Sequence, residues 1–170
     1  MSQNDDMVVR FSGLKSGKYN YRFVLDDSFL KGYENEEIVS GNVVIDAVLE
    51  RKEHLLMFTF QLQGEATVLC DRCLGEMKVP IEGEEHLCVR FSDTEVCEDE
   101  NVAVLPEDAF EIDLAQWLYE YVAVRIPMQH KHPEGECDPE VIRFIAEDEG
   151  DETKSSEGID PRWEALKSLK

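Results

Sequence analysis

Residues 41–62 read GNVVIDAVLERKEHLLMFTFQL, and this stretch decides the fold. Its two halves, 41–49 and 54–62, are rich in the β-branched and aromatic residues that favour strands. The charged residues 50–53 lie between the halves, where a turn is expected. The pattern therefore predicts two neighbouring strands joined by a short turn.

Strand-like segments continue on both sides of this stretch. Several consecutive strands with short connections favour an antiparallel β-meander, or a barrel that is partly closed. Further strands are predicted at 65–69, 77–81 and 85–91, with turns at 63–64 and at the cysteine pair. Two more strands, at 7–11 and 18–25, are predicted to pair with each other as a hairpin.

One main helix is predicted to support the sheet. Residues 113–125 carry an apolar stripe at helical spacing, with Asp113 as a cap and Pro127 as the stop. A short helical turn is predicted at 26–33, and either a helical turn or a short strand at 139–145. The predicted fold class is α+β, with one main helix and short peripheral helices.

Charge runs divide the rest of the chain. Residues 92–112 carry eight acidic residues and no basic one, which predicts an exposed acidic loop. A single domain is predicted over 7–146, followed by an acidic flexible linker at 147–158. Residues 159–170 predict a short amphipathic helix that docks on its own domain or on a partner, with Asp160 as cap, Pro161 at the first helical position, and Trp163, Leu166 and Leu169 on one side.

Four residues have the chemistry of a structural zinc site. Cys70 and Cys73 form a C-x2-C pair in a predicted turn, and His132 and Cys137 form an H-x4-C pair downstream. Thiolate and imidazole are the ligands that zinc prefers, and four of them close its tetrahedral shell. The spacing of His132 to Cys137 permits a compact loop, which favours His132 over His130 as the ligand.

Two other interpretations of the cysteine pair stay open. Because 58 residues separate Cys73 from His132, far more than in an ordinary zinc ribbon, the two halves can meet only through tertiary folding. Cys70 and Cys73 can instead be small buried apolar residues at the end of a strand. A redox dithiol is the third interpretation, although its first cysteine normally lies at a helix N-terminus, which this context lacks.

The charge of the chain restricts its partners. It carries 38 acidic and 17 basic side chains, a formal net charge of −21, which opposes binding through general attraction to phosphates. The basic residues in the first third of the chain have two interpretations: a local basic patch, or an ordinary solvated face. The candidate contacts for RNA or a partner are Arg10, Lys15, Lys18, Arg22, Arg72 and Trp163.

Signatures of catalysis and of membrane insertion are absent from the sequence. It has no glycine-rich phosphate loop, no G-x-S-x-G and no H-E-x-x-H, so we expect neither an enzyme nor a small-molecule substrate. No apolar run approaches the roughly 20 residues that span a bilayer. The first residues are polar and acidic, which predicts a cytoplasmic protein without membrane contact.

Several motifs together resemble a known family. Gly41-Asn-Val-Val, Leu69-Cys-Asp-Arg-Cys-Leu74, Asp113-Leu-Ala and the segment from Asp160 to Lys167 resemble the YceD-like large ribosomal RNA accumulation family of bacteria and plastids. The resemblance implies a small cytoplasmic α+β domain that is needed for accumulation of 23S ribosomal RNA and that binds metal. The family's cysteine pair falls on Cys70 and Cys73.

Two functions are expected from these observations. The first is a non-enzymatic factor in large-subunit biogenesis that contacts 23S ribosomal RNA or a large-subunit ribosomal protein and contains a structural zinc. The second is an acidic escort for a basic ribosomal protein, because a charge of −21 attracts cationic partners.

Overall fold

The computed structural model describes residues 7–33, 38–92 and 101–152, with side-chain surroundings as far as residue 145. These ranges contain seven strands and three helices. In chain order they are β1 Val8–Arg10, β2 Gly17–Leu25, α1 Asp27–Leu30, β3 Ile38–Arg51, β4 Leu55–Leu69, β5 Glu76–Phe91, β6 Val102–Leu105, β7 Glu111–Asp113, α2 Ala115–Ala123 and α3 Pro139–Glu152.

The main sheet has five strands in the order β2-β3-β4-β5-β6. Strands β2 to β5 follow one another as an antiparallel meander, whereas β6 runs parallel to β5. The sheet is open, because β2 and β6 are its two edges. The predicted α+β class and β-meander are confirmed, and the sheet is not closed into the barrel that was the alternative.

The three central strands are longer than the sequence pattern predicts. Strand β4 has 15 residues and continues through Gln63 and Gly64, where a turn was expected. Gly64 pairs with Val43 of β3, and a Cβ at position 64 would lie only 2.6 Å from the Cα of Val43. Glycine therefore permits close contact of two strands here, one of the two roles that glycine has in extended segments. Strand β5 is likewise continuous between 76 and 91.

The core lies between one face of the sheet and helix α2. Alternate residues of the central strands are buried, among them Phe58 and Phe60, which are at most 1% exposed. Helix α2 packs Tyr121 against Phe60, with ring centroids 5.4 Å apart. Its apolar stripe faces the core as predicted, although the helix is shorter than expected. The N-cap residue is Leu114 rather than the predicted Asp113, although the Asp113 carboxylate accepts a hydrogen bond from the N–H of Ala115 at 2.9 Å.

Two predictions for the chain on either side of the meander are wrong. The first strand, β1, pairs with β7 rather than with β2. The described part of the predicted loop 92–112 contains β6 and the start of β7. All three strands are short, and β1 and β7 depend on each other across most of the chain, for example through Val9 and Ile112. Strand β6 instead pairs with the edge of the preceding strand, β5.

Helix α1 lies where a helical turn was predicted, and helix α3 is longer than predicted. Helix α1 confirms the predicted turn, because Asp26 accepts from the N–H of Phe29 at 2.9 Å. Helix α3 continues to Glu152, so the segment predicted as a linker begins as helix. Residues 153–170 lie outside the described residues, with the rest of that linker and the predicted helix 159–170. Within the described ranges, no helix is both long and apolar enough to cross a bilayer.

Candidate metal centre

The turn between β4 and β5 carries the first pair of candidate ligands. It is closed by the N–H of Cys70, which donates to the carbonyl of Gly75 at 2.8 Å, and by the N–H of Leu74, which donates to Cys70 at 2.9 Å. Leu74 has a φ of 56°, a left-handed conformation that is unusual for leucine. This tight turn points Cys70 inward, where it is buried, and leaves Cys73 partly exposed.

The segment between α2 and α3 carries the second pair. It is attached to the turn by Asp71 and His130: the N–H of Asp71 donates to the carbonyl of His130 at 2.9 Å, and the N–H of His130 donates to the Asp71 carboxylate at 2.9 Å. These two bonds place His132 and Cys137 beside the cysteine turn. Helix α3 then begins directly after Cys137.

The four candidate ligand atoms form one compact cluster. All four, from Cys70, Cys73, His132 and Cys137, lie within 4.8 Å of one another. The Sγ atoms of Cys70 and Cys137 are 3.9 Å apart, and Nδ1 of His132 is 3.4 Å from Cys73 Sγ and 3.9 Å from Cys137 Sγ. The cysteines are free, since a disulfide would bring its two sulfurs to about 2.05 Å.

These separations match a tetrahedral shell. Zinc bonds of about 2.3 Å to sulfur and about 2.05 Å to nitrogen place two sulfurs about 3.8 Å apart and a sulfur and a nitrogen about 3.5 Å apart. The observed values of 3.9 Å and 3.4 Å to 3.9 Å are close to both. The donor set and its spacing therefore fit a divalent ion that prefers four soft ligands.

The histidine is oriented for coordination by its other nitrogen. Nε2 of His132 lies 3.2 Å from the carbonyl of Glu76, which can only accept, so Nε2 carries the proton. Nδ1 then points its lone pair at the sulfurs, as a second hydrogen bond commonly arranges for metal-bound histidines. The contact with the Cys70 thiolate, followed by the Glu76 carbonyl, raises the pKa of His132 in the metal-free cluster.

The thiols have divergent acidities. Burial alone raises the pKa of Cys70, but hydrogen bonds from the backbone N–H groups of Cys73, His132 and Arg72 outweigh it and lower that pKa to about 5. The N–H groups of Asp138 and Gly75 lower the pKa of Cys73. Burial raises the pKa of Cys137 to about 11. The cluster thus stabilises the thiolates of Cys70 and Cys73, the form that binds metal, before any cation is present, whereas Cys137 stays a thiol.

His130, the neighbouring histidine, contacts other protein groups instead of the candidate ligands. Its Nδ1 donates to the carbonyl of Pro127 at 3.0 Å, and its Nε2 lies 3.5 Å from the Asp71 carboxylate. Both nitrogens are therefore directed at protein oxygens. Sequence spacing already favoured His132 as the ligand, but it gave no role to His130 or to Asp71.

The segment between α2 and α3 that carries His132 and Cys137, here called the metal loop, has a second attachment just before it, which sequence analysis also missed. Arg125, just after α2, forms an ion pair with Glu85 at 2.5 Å and donates to the carbonyl of Glu84 at 3.1 Å. Its guanidinium lies against Gly83, where a Cβ would collide with it. The signal in the sequence was a glycine between the strands predicted at 77–81 and 85–91, which the structure places inside the continuous strand β5, where glycine often marks a close approach.

The predicted partner contacts are spread over the molecule. Arg72 is exposed beside the metal cluster, and Lys15 and Lys18 are exposed near the start of β2. Arg10 is paired with Glu111 at 3.1 Å, and Arg22 with Asp46 at 2.6 Å. Trp163 lies outside the described residues.

Comparisons with known proteins identify a family to which the chain is similar. The family model described as large ribosomal RNA subunit accumulation protein YceD matches residues 58–170, which include all four candidate ligands. The chain is also 29% identical over 125 residues to a Bacillus subtilis (strain 168) protein named "Uncharacterized protein YlbN", an alignment that covers 69% of this chain and 68% of that protein. Solved structures gave no match.

Proposed function

The chain belongs to the family of large ribosomal RNA subunit accumulation proteins called YceD, and from this premise we propose that it is a non-enzymatic factor supporting 23S ribosomal RNA accumulation. Its place is in the assembly of the large subunit in the cytoplasm, with 23S ribosomal RNA or a large-subunit ribosomal protein as partner. The observation that carries the proposal is the closed four-ligand cluster within the matched segment.

The cation we assign to the cluster is a structural zinc. Cys70 and Cys73 come from the turn between two long strands, and His132 and Cys137 come from the loop that leads into α3. A zinc there joins segments that are 59 positions apart. With four protein ligands the shell has no open position for water or substrate, so the zinc holds the scaffold and performs no chemistry.

The metal is tested by elemental analysis of protein purified without added zinc. We expect one zinc per chain in the wild type and in Cys88→Ser, since Cys88 lies on β5 outside the cluster. Cys73→Ser should lose most of the zinc, and its thermal unfolding should resemble that of the wild type after chelation. A metal-free wild type that is as stable as the purified protein would refute the ligand set.

The biological role is tested in cells. A strain without this protein should accumulate less 23S than 16S ribosomal RNA, and the wild-type chain and Cys88→Ser should restore the ratio. Cys73→Ser should restore it poorly at matched protein levels. An unchanged ratio in the deletion strain would overturn the proposal that the chain supports 23S accumulation.

A second candidate, an acidic escort for a basic ribosomal protein, is favoured by charge. The net charge is −21, and Arg10 and Arg22, two of the candidate RNA contacts, are paired with carboxylates. Such a surface attracts cationic partners more than phosphates.

Parallel salt titrations separate the two. One measures binding to a 23S fragment and the other binding to purified basic ribosomal proteins. Affinity for the RNA near physiological salt supports direct RNA contact. Affinity for the proteins alone supports the escort.

A further inference from the structure

Helix α3 presents an apolar face that no described residue covers. Val141, Phe144 and Ile145 lie three and four positions apart, so they share one side of the helix. Phe144 is 71% exposed and Ile145 is 38% exposed. Large apolar side chains exposed side by side on a helix mark a contact surface more often than isolated ones do.

The same helix is anchored at its start. The Asp138 carboxylate accepts from the N–H of Glu140 at 2.9 Å, and the Asp138 carbonyl accepts from the N–H of Ile142 at 3.0 Å. Asp138 also donates its own N–H to the Cys73 thiolate. These bonds hold the first turn of α3 next to the cluster. The apolar face of the helix therefore has a fixed position, on which another segment can pack.

Charge selects the kind of segment that fits. Helix α3 carries six acidic residues and one basic residue, Arg143. An occupant should therefore combine apolar residues at helical spacing with cations. Residues 159–170 have this composition, with Trp163, Leu166 and Leu169 on one side and the cations Arg162, Lys167 and Lys170.

We propose that residues 159–170 form a short helix that packs antiparallel on the face of Val141, Phe144 and Ile145. Asp160 and Pro161 supply the start of this helix, and a helix of this length is marginal unless it packs on another element. Six residues, 153–158, connect it to the end of α3 at Glu152. Antiparallel helices are commonly joined by about 2–8 residues, so this connection suits an intramolecular partner.

The pairing has a register. Rising about 1.5 Å per residue in opposite directions from residues 152 and 159, the two helices bring Leu166 to the level of Ile145 and Leu169 to a level between Val141 and Phe144.

The test is hydrogen exchange of the full chain, followed by mass spectrometry. Amides of 164–170, the ones that such a helix would bond to its own carbonyls, should exchange at least about tenfold more slowly than in an unstructured chain, independently of protein concentration. Phe144→Asp should remove this protection. Phe110→Asp is the matched control, because Phe110 is 57% exposed and lies between β6 and β7.

A reciprocal variant makes the result independent of how Phe144→Asp folds. Trp163→Ala should increase exchange in residues 141–152 and leave β3, β4 and β5 unchanged. Unprotected amides at 164–170, or protection that survives Phe144→Asp, would overturn the proposal. Protection that appears only at high concentration, or only after a basic partner is added, would assign the face to a second copy or to that partner, and also overturns it.

Discussion

Asp71 and His130 bond each other twice, through the N–H of Asp71 to the carbonyl of His130 and through the N–H of His130 to the Asp71 carboxylate, both at 2.9 Å. The two residues are 59 positions apart, and each is adjacent or close in sequence to two candidate ligands. This pairing aligns the cysteine turn with the metal loop through protein contacts alone. The cluster is consequently preorganised for a cation.

Replacing Asp71 with alanine should weaken zinc binding by about 10–100-fold, the usual effect of losing a residue that orients ligands. The loop that carries His132 and Cys137 would lose its attachment to the turn. Competition with a chromogenic chelator measures the affinity. Asp71→Asn keeps an acceptor for the N–H of His130 and should lose less. Asp46→Ala, which removes a pair on the sheet, is the control, and equal affinities in all four proteins would contradict this role.

The stability of the metal-free protein should depend on pH through Cys70. Its folded pKa of about 5 lies below the ordinary 9.0, so the fold favours the thiolate. The contribution is complete above pH 9.0 and is lost as the pH falls through about 5. His132 and Cys137, whose pKa values are raised, act in the opposite direction, and because Cys70 contributes to raising both pKa values, their effect is smaller in Cys70→Ala.

The comparison is urea unfolding of chelated wild type and chelated Cys70→Ala across this range. The difference in unfolding free energy should shift in favour of the wild type as the pH rises. Ultraviolet absorbance of the thiolate should show a transition near pH 5 that Cys70→Ala lacks. A difference that is flat with pH would be inconsistent with a lowered pKa.

Gly64→Ala should destabilise the sheet strongly. The added Cβ would lie 2.6 Å from the Cα of Val43 and would also collide with the carbonyl of Asn42, and both are backbone atoms of the neighbouring strand. Overpacking of this kind costs about 1–3 kcal/mol. Gly32→Ala should cost less, because its Cβ would come no closer than 3.1 Å to its nearest neighbour, the carbonyl of Phe29. Urea unfolding of both variants checks the order, and the reverse order would argue against the close crossing of β3 and β4.

Leu74→Gly should stabilise the protein by about 1 kcal/mol, since a left-handed residue other than glycine costs about 1–2 kcal/mol. Leu74 has a φ of 56° and is 73% exposed, so little packing is lost with its side chain. Leu69→Gly, in a strand, should destabilise instead. Thermal unfolding of the zinc-loaded proteins distinguishes the two, and a destabilised Leu74→Gly would mean that the side chain packs when the metal is bound.

Local patterns in the sequence were sufficient for the meander and for the main helix. Alternation in β2 to β5 identifies which residues face the core, and the apolar stripe of α2 does the same for the helix. The partner of a short strand could not be predicted in this way. Val8 pairs with Asp113, more than a hundred residues later, and nothing in three or four residues specifies so distant a partner.

Glycine misled the strand boundaries for a related reason. Gly64 was interpreted as part of a turn, because glycine is common in turns and in close strand contacts alike. Which role applies depends on the neighbouring backbone, here that of Val43. The acidic composition of 92–112 likewise obscured the apolar run Val102–Leu105, which becomes a strand only because the edge of β5 is available.

The sequence by itself determined the chemistry: two cysteines in a turn and a histidine and cysteine downstream, in an acidic chain with a β-meander. Only the tertiary structure decided that these four residues meet, that the pairing of Asp71 with His130 brings them together, and that α3 leaves an apolar face uncovered. The physical reason is the separation along the chain of the residues that determine each property. Ligand type and strand alternation are properties of adjacent residues, whereas a metal shell and an exposed face arise from segments that only folding brings into contact.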